Sequence, residues 1–200
     1  MEIGTQPLAE TQDMPAVLDM RKLGMWVFLS SEVIFFTALI ATFLIYQGRS
    51  TAGPDATVLN IPLTGINTFI LIVSSLTMVL SLDAAMKDQQ MQLKVWLLAT
   101  IGLGTVFLSI QGFEYWELWT HEGLTPMVNL FGSAFYTLTS FHGTHVLVGV
   151  IMLTGLLIKS LGGNLGPKNY IPIELIGLYW HFVDLVWILI FTLVYLIPSV

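Results

Sequence analysis

Two imidazoles one helical turn apart, His142 and His145 in the stretch FGSAFYTLTSFHGTHVLVGV, make up half of the four histidines in this chain. Three residues of α-helix leave their side chains about 60° apart around the axis, so both can face one neighbouring helix. Buried imidazoles can pass protons, hold haem or another metal, or hydrogen-bond helices into register. Other ionisable groups also stand among apolar residues. Glu32 interrupts WVFLSSEVIFFTALI, flanked by Phe28, Leu29, Phe35 and Phe36; Glu114 lies in SIQGFEYWEL; His181 and Asp184 follow Glu174 in IELIGLYWHFVDLVWILIF. An isolated carboxylate in hydrocarbon costs a few kcal/mol on insertion scales. Glu32 therefore either keeps its proton or finds a partner across a helix interface. Together with His142, His145, His181 and Asp184 it can build a polar network that conducts protons or fastens helices. Haem ligation fits less well, because His181 is expected nearer the cytoplasmic side than His142 and paired axial ligands need matched depth. The Glu117, His121 and Glu122 group has no compact metal-site spacing.

The elements that must position these groups are long apolar helices. The chain is 55% hydrophobic and 10% charged, with a mean hydropathy of +0.80, whereas soluble domains carry roughly a quarter charged residues. Five apolar segments run at about 23–46, 66–85, 94–119, 131–158 and 174–197. Each is long enough, at about 1.5 Å rise per residue, to cross a hydrocarbon core of roughly 30 Å. The alternation of a strand barrel is missing. The expected fold is all-α, a polytopic membrane bundle of five transmembrane helices covering residues 21–200. In the second segment Asn67, Ser74 and Ser81 recur at seven-residue spacing, the pattern of polar helix-packing residues. In the fourth, Gly132, Gly143 and Gly149 allow close approach of a neighbour. Tyr115, Trp116 and Trp119 are expected in an outer interfacial girdle.

Basic residues set the expected orientation. Arg21, Lys22, Lys87, Lys94, Lys159 and Lys168 fall on one side and Arg49 alone on the other, which puts the N-terminus in the cytoplasm and the C-terminus outside. Residues 1–20, acidic and without a basic region before Arg21, read as a cytoplasmic tail rather than a cleaved signal. The absence of cysteine excludes disulfides, thiol catalysis and Cys-held clusters. A net charge of −6 with seven basic residues argues against a nucleic-acid partner. The connections are short and hold no soluble domain, and no internal repeat supports an alternating-access transporter.

These residues carry a resemblance. FGSAFYTLTSFHGTHVLVG and LYWHFVDLVWILIFTLVY resemble the last two helices of subunit III of haem-copper respiratory oxidases. RKLGMWVFLSSEVIFF, NIPLTGINTFILIVSSLTMVLSLDA and SIQGFEYWEL are similar to the three before them. Five motifs in order, from Arg21 to Tyr195, indicate the short five-helix form, which lacks two N-terminal helices of the long form. The ending LVYLIPSV departs from the Trp-rich finish of long relatives. The resemblance implies a non-catalytic, multi-pass subunit of a proton-pumping terminal oxidase in a prokaryotic cytoplasmic (inner) membrane. It implies no cofactor of this chain's own, haem and copper in partner subunits, contact with subunit I in a complex that includes subunit II, and phospholipid in a cleft between the first two shared helices and the others. Support of sustained turnover and proton delivery follows from the same likeness. By that likeness Glu32 matches the intramembrane carboxyl of the family, and Glu114, His142, His145, His181 and Asp184 match polar packing positions. Relatives also accompany quinol oxidases and nitric-oxide reductases, which leaves the electron donor open. The rival classes are a membrane cytochrome, which would bind haem stoichiometrically, and a proton or solute transporter, which would act alone in liposomes.

Overall fold

The computed structural model describes residues 20–47, 49 and 53–197. Residues 1–19 of the expected cytoplasmic tail, and the last three residues of the divergent C-terminal ending, lie outside them. Five helices are long and apolar enough to cross a membrane: α1 (Met20–Tyr46), α2 (Ile61–Met86), α3 (Gln90–Thr120), α4 (Leu130–Leu161) and α5 (Ile171–Phe191), the last continuing through a π-helical turn at Thr192–Leu196. Two of them start on a polar cap. Asn60 caps α2 by accepting from the Leu63 amide, with Pro62 in the first turn, and Asn129 caps α4 by accepting from the Gly132 amide.

Buried positions recur every seven residues in all five helices. In α3 they are Leu93, Thr100, Phe107 and Glu114, interleaved with Leu97, Gly104, Gln111 and Leu118. In α2 they are Thr64, Leu71, Met78 and Ala85 with Asn67, Ser74 and Ser81 between them. Such a repeat keeps one seam on a neighbour only if the helices wrap at a shallow, left-handed angle. The short link Lys87–Gln89, with Asp88 at φ 57°, folds α2 directly back on α3, and these two make the most extensive contact.

The core is a ring of α2, α3, α4 and α5, centred on Trp180. Its indole N–H donates to Ser74 Oγ of α2 at 3.0 Å. The ring is wedged against Gly104 of α3 and Gly149 of α4, where an added Cβ would come within 2.7 Å of it. α1 stands outside this ring, packed on α4 and α5, with no substantial contact to α2. The first two helices therefore do not form a pair facing the other three. α2 is committed to α3 and α5, and only α1 is set apart.

Candidate functional site

α1 meets the ring along one seam: Leu29, Phe36 and Phe43 are its buried residues, and Met25, Glu32 and Leu39 form the adjoining column four residues earlier. Glu32 sits in the seam because it occupies one of these contact positions, not because a pocket was built for it. Polar contacts fasten α1 at three depths. Lys22 pairs with Glu174 of α5 at 2.7 Å, Glu32 meets His145 of α4 at 3.1 Å, and Gln47 donates to the Ile197 carbonyl at 3.3 Å.

The contact between Glu32 Oε2 and His145 Nε2 calls for one hydrogen between the two atoms. His145 Nδ1 lies 2.7 Å from the Phe141 carbonyl, which can only accept, so Nδ1 carries hydrogen. Nε2 faces Glu32 Oε2, and a bare imidazole nitrogen against a bare carboxylate would set lone pair against lone pair. Either Glu32 donates to a neutral imidazole or an imidazolium donates to the carboxylate; both states are net neutral, which suits their depth. Phe36 stands edge-on to His145 at 4.9 Å. Beside the pair a groove of about 320 Å³ opens sideways, walled by Met25, Phe28, Val148, Met152 and Tyr179. A second groove of about 210 Å³, lined by Leu39, Thr42, Leu130 and Thr137 among others, follows the same α1–α4 seam toward the other end. The edge-on contact of Phe35 and Phe141 lies between them in the sequence of the seam.

The remaining candidates stand apart from this pair. His142 is 0% exposed, neither ring nitrogen has a hydrogen-bond partner, and the ring stacks on Trp187 of α5 at 4.8 Å with Phe107 of α3 edge-on. The two imidazoles thus face different neighbours, His145 toward α1 and His142 toward α3 and α5. Where three helices converge, 60° suffices to change partner. His181 turns to α2 and meets Ser75 Oγ at 2.9 Å, while Asp184 is buried with Oδ1 unpaired. Glu114 is buried on the α2–α3 seam, accepting from Thr64 at 2.9 Å and from Tyr195 at 3.1 Å. The π turn ending α5 carries Tyr195. Beyond Glu114 a space of about 220 Å³ is lined by Asn60, Glu117 and Glu122. Direct hydrogen bonds thus join Glu32 to His145 alone among the six candidates. Among the described residues no three His, Asp or Glu side chains gather in a group that could hold a metal ion.

Trp116 and Trp119 are exposed, as an interfacial girdle requires. Tyr115 is not part of it. Its hydroxyl turns inward to donate to Thr139 Oγ1 of α4 at 2.6 Å. The partners that sequence reasoning missed, among them Thr64, Ser75, Tyr179 and Tyr195, all fall on contact positions of the seven-residue repeats or directly beside them, which was the signal available.

The chain matches the family described as cytochrome c oxidase subunit III over residues 5–199. It is 38% identical over 186 residues to a probable quinol oxidase subunit 3 of Staphylococcus saprophyticus, covering 91% of each chain. It is 39% identical over 184 residues to a cytochrome c oxidase subunit 3 of Bacillus subtilis, covering 89% of this chain and 86% of the relative. To a probable cytochrome c oxidase subunit 3 of Nocardia farcinica it is 34% identical over 199 residues, covering 98% of each. Five long apolar helices and bacterial relatives make this a multi-pass protein of a prokaryotic inner membrane. The chain belongs to the cytochrome c oxidase subunit III family.

Proposed function

We propose that this chain is the non-catalytic third subunit of a proton-pumping haem-copper terminal oxidase, seated against the subunit I that carries the redox centres. In this reading the N-terminus is cytoplasmic and the chain holds no redox group of its own. Family membership carries the proposal; the two donor names among its relatives keep it at the level of the shared subunit, since quinol and cytochrome c oxidases match at similar identity. The Glu32–His145 pair fastens α1 to α4, and the apolar grooves on either side of it take phospholipid chains in place of a fourth wall. Their breadth and sideways opening support that occupant. By keeping lipid and α1 in place the subunit prolongs turnover and supports proton delivery into subunit I.

The test is purification in mild detergent through a tag on this chain. A large haem-bearing partner should appear in stoichiometric amount, with about one phospholipid or more retained per complex. Stoichiometric haem on the isolated chain, lost when His142 or His181 is replaced, would reject the reading.

A further inference from the structure

Glu114 lies six residues before the end of α3, about 9 Å inside it at about 1.5 Å per residue, and is 2% exposed. Its two oxygens are held differently. Oε1 takes both hydrogen bonds, from Thr64 Oγ1 of α2 at 2.9 Å and from Tyr195 Oη on the π turn of α5 at 3.1 Å. Oε2 makes none among the described residues, yet it is not sealed in, and the side chain borders the space of about 220 Å³ that Asn60, Glu117 and Glu122 also line. The two oxygens are therefore unequal places for a proton. With two donors already on Oε1, a proton belongs on Oε2, toward that space.

The space leads outward past two further carboxyls, the half-buried Glu117 and the exposed Glu122. Among the described residues no base answers Glu114, which forms no ion pair. His121, just past the end of α3, stands edge-on to Trp116. The hydroxyls of Tyr115 and Tyr136 turn to Thr139 Oγ1 and to the Leu124 carbonyl. What faces Glu114 is thus two acids and two neutral donors, so it changes charge only by exchanging a proton. That charge sets the grip on α5, because a hydrogen bond to an ionised carboxylate is roughly twice as strong as one to a neutral acid. Thr64 has one hydrogen and a second acceptor in reach, the Asn60 carbonyl at 3.0 Å, and turns to it once the charge is gone. Tyr195 then keeps a neutral bond only.

We propose that Glu114 is a proton-binding site open to the outer face, where Oε2 exchanges a proton with the aqueous phase past Glu117 and Glu122, and where loss of that proton tightens, and its gain loosens, the clasp of α2 and α3 on the end of α5. The outer placement rests on the orientation given above, with the N-terminus in the cytoplasm. The test uses the whole complex reconstituted in sealed vesicles with its outer face outward, the pH on each side set separately. Infrared difference spectra on acidifying the outside should show a carboxylic C=O band that is missing in Glu114→Gln, and acidifying the inside should not raise it. Hydrogen exchange at the amides of residues 192–196, corrected for the direct effect of pH on exchange, should become about fivefold faster on outer acidification. Glu114→Gln should lose this response. Tyr195→Phe, which leaves the carboxyl in place, should keep the infrared band and lose the response too.

Spectra that do not differ between Glu114→Gln and the unaltered complex overturn the proposal, as does a band with no accompanying change in exchange. A band that follows the inner pH overturns it as well, provided that a cysteine at Met127, 96% exposed on the same end of the bundle, labels from outside. Labelling of that cysteine from the cytoplasm defeats the orientation instead, and the outer placement with it.

Discussion

Glu32→Ala removes the carboxyl from a seam in which His145 Nε2 has no other hydrogen-bond partner. The lost interhelical bond is worth about 0.6 to 1.7 kcal/mol in membrane proteins, and the imidazole nitrogen left unsatisfied adds about 1 to 3 kcal/mol. The two overlap, and about 2 to 3 kcal/mol is the net expectation. The void adds little because the side chain already borders an open groove. At about 1.4 kcal/mol per factor of ten, detachment of α1 should become roughly 30- to 150-fold more frequent. Glu32→Gln should behave differently, since the amide keeps the length and can donate to the bare Nε2. The chain has no cysteine, so a single one at Leu29, 6% exposed within the seam, reports detachment by its labelling rate when reclosing is fast. The Ala variant should label about 30- to 150-fold faster and the Gln variant within about threefold of the unaltered seam, the span of a bond change under about 0.6 kcal/mol. Equal acceleration in both, or none in either, would refute an anchoring hydrogen bond. If Glu32 instead carries protons, Glu32→Gln at full subunit occupancy should lose turnover selectively at high pH, where proton supply limits. The anchor predicts an unchanged pH profile.

Other positions give sharper local tests. Gly149→Ala places a methyl 2.7 Å from the Trp180 ring and should destabilise the bundle by about 1 to 3 kcal/mol, read as a lower melting midpoint in detergent; Gly155→Ala, open within 4 Å, should not. Asp55 accepts from the amide and hydroxyl of Thr57 at 2.9 and 2.7 Å, and these bonds, the hydroxyl first, hold its carboxyl below the ordinary value of 3.8. A lowered folded-state value means the cap is fully present above the ordinary aspartate range and lost as pH falls through the lowered one. Hydrogen exchange at the Thr57 amide should therefore stay protected at neutral pH and lose that protection only in acid below 3.8, or on Asp55→Ala. Single cysteines at the exposed Gln89 and Glu122 should label from opposite sides of intact membranes, Gln89 from the cytoplasm. Labelling of both from one side would break the topology.

Span number and helical class were legible because composition and run length suffice for them. Asn67, Ser74 and Ser81 were legible as a packing face because their spacing matches the repeat that buries them, at 1%, 0% and 0% exposure. The exclusion of α1 from the ring was not, since all five spans are similarly hydropathic, at 1.8 to 2.1, and pairing depends on contacts between distant segments. His142 and His145 show the same limit. Spacing set their angle, but which neighbour lies at each angle is decided by where α1 and α5 pack. Tyr115 was misplaced because an aromatic residue beside two interfacial tryptophans gives no sequence sign that its hydroxyl has Thr139 as a partner. The pairing of Glu114 with Tyr195, 81 residues apart, depends on the π turn at the end of α5, which the apolar run does not announce.

The most direct measurement of the central claim is the composition of the complex that this chain brings down from native membranes in mild detergent, read by haem spectrum and by identifying every chain. The account predicts a haem-copper subunit I in equal amount, with all haem on that partner and none on this chain after separation. A chain that purifies alone, or one that keeps stoichiometric haem when isolated, would contradict it.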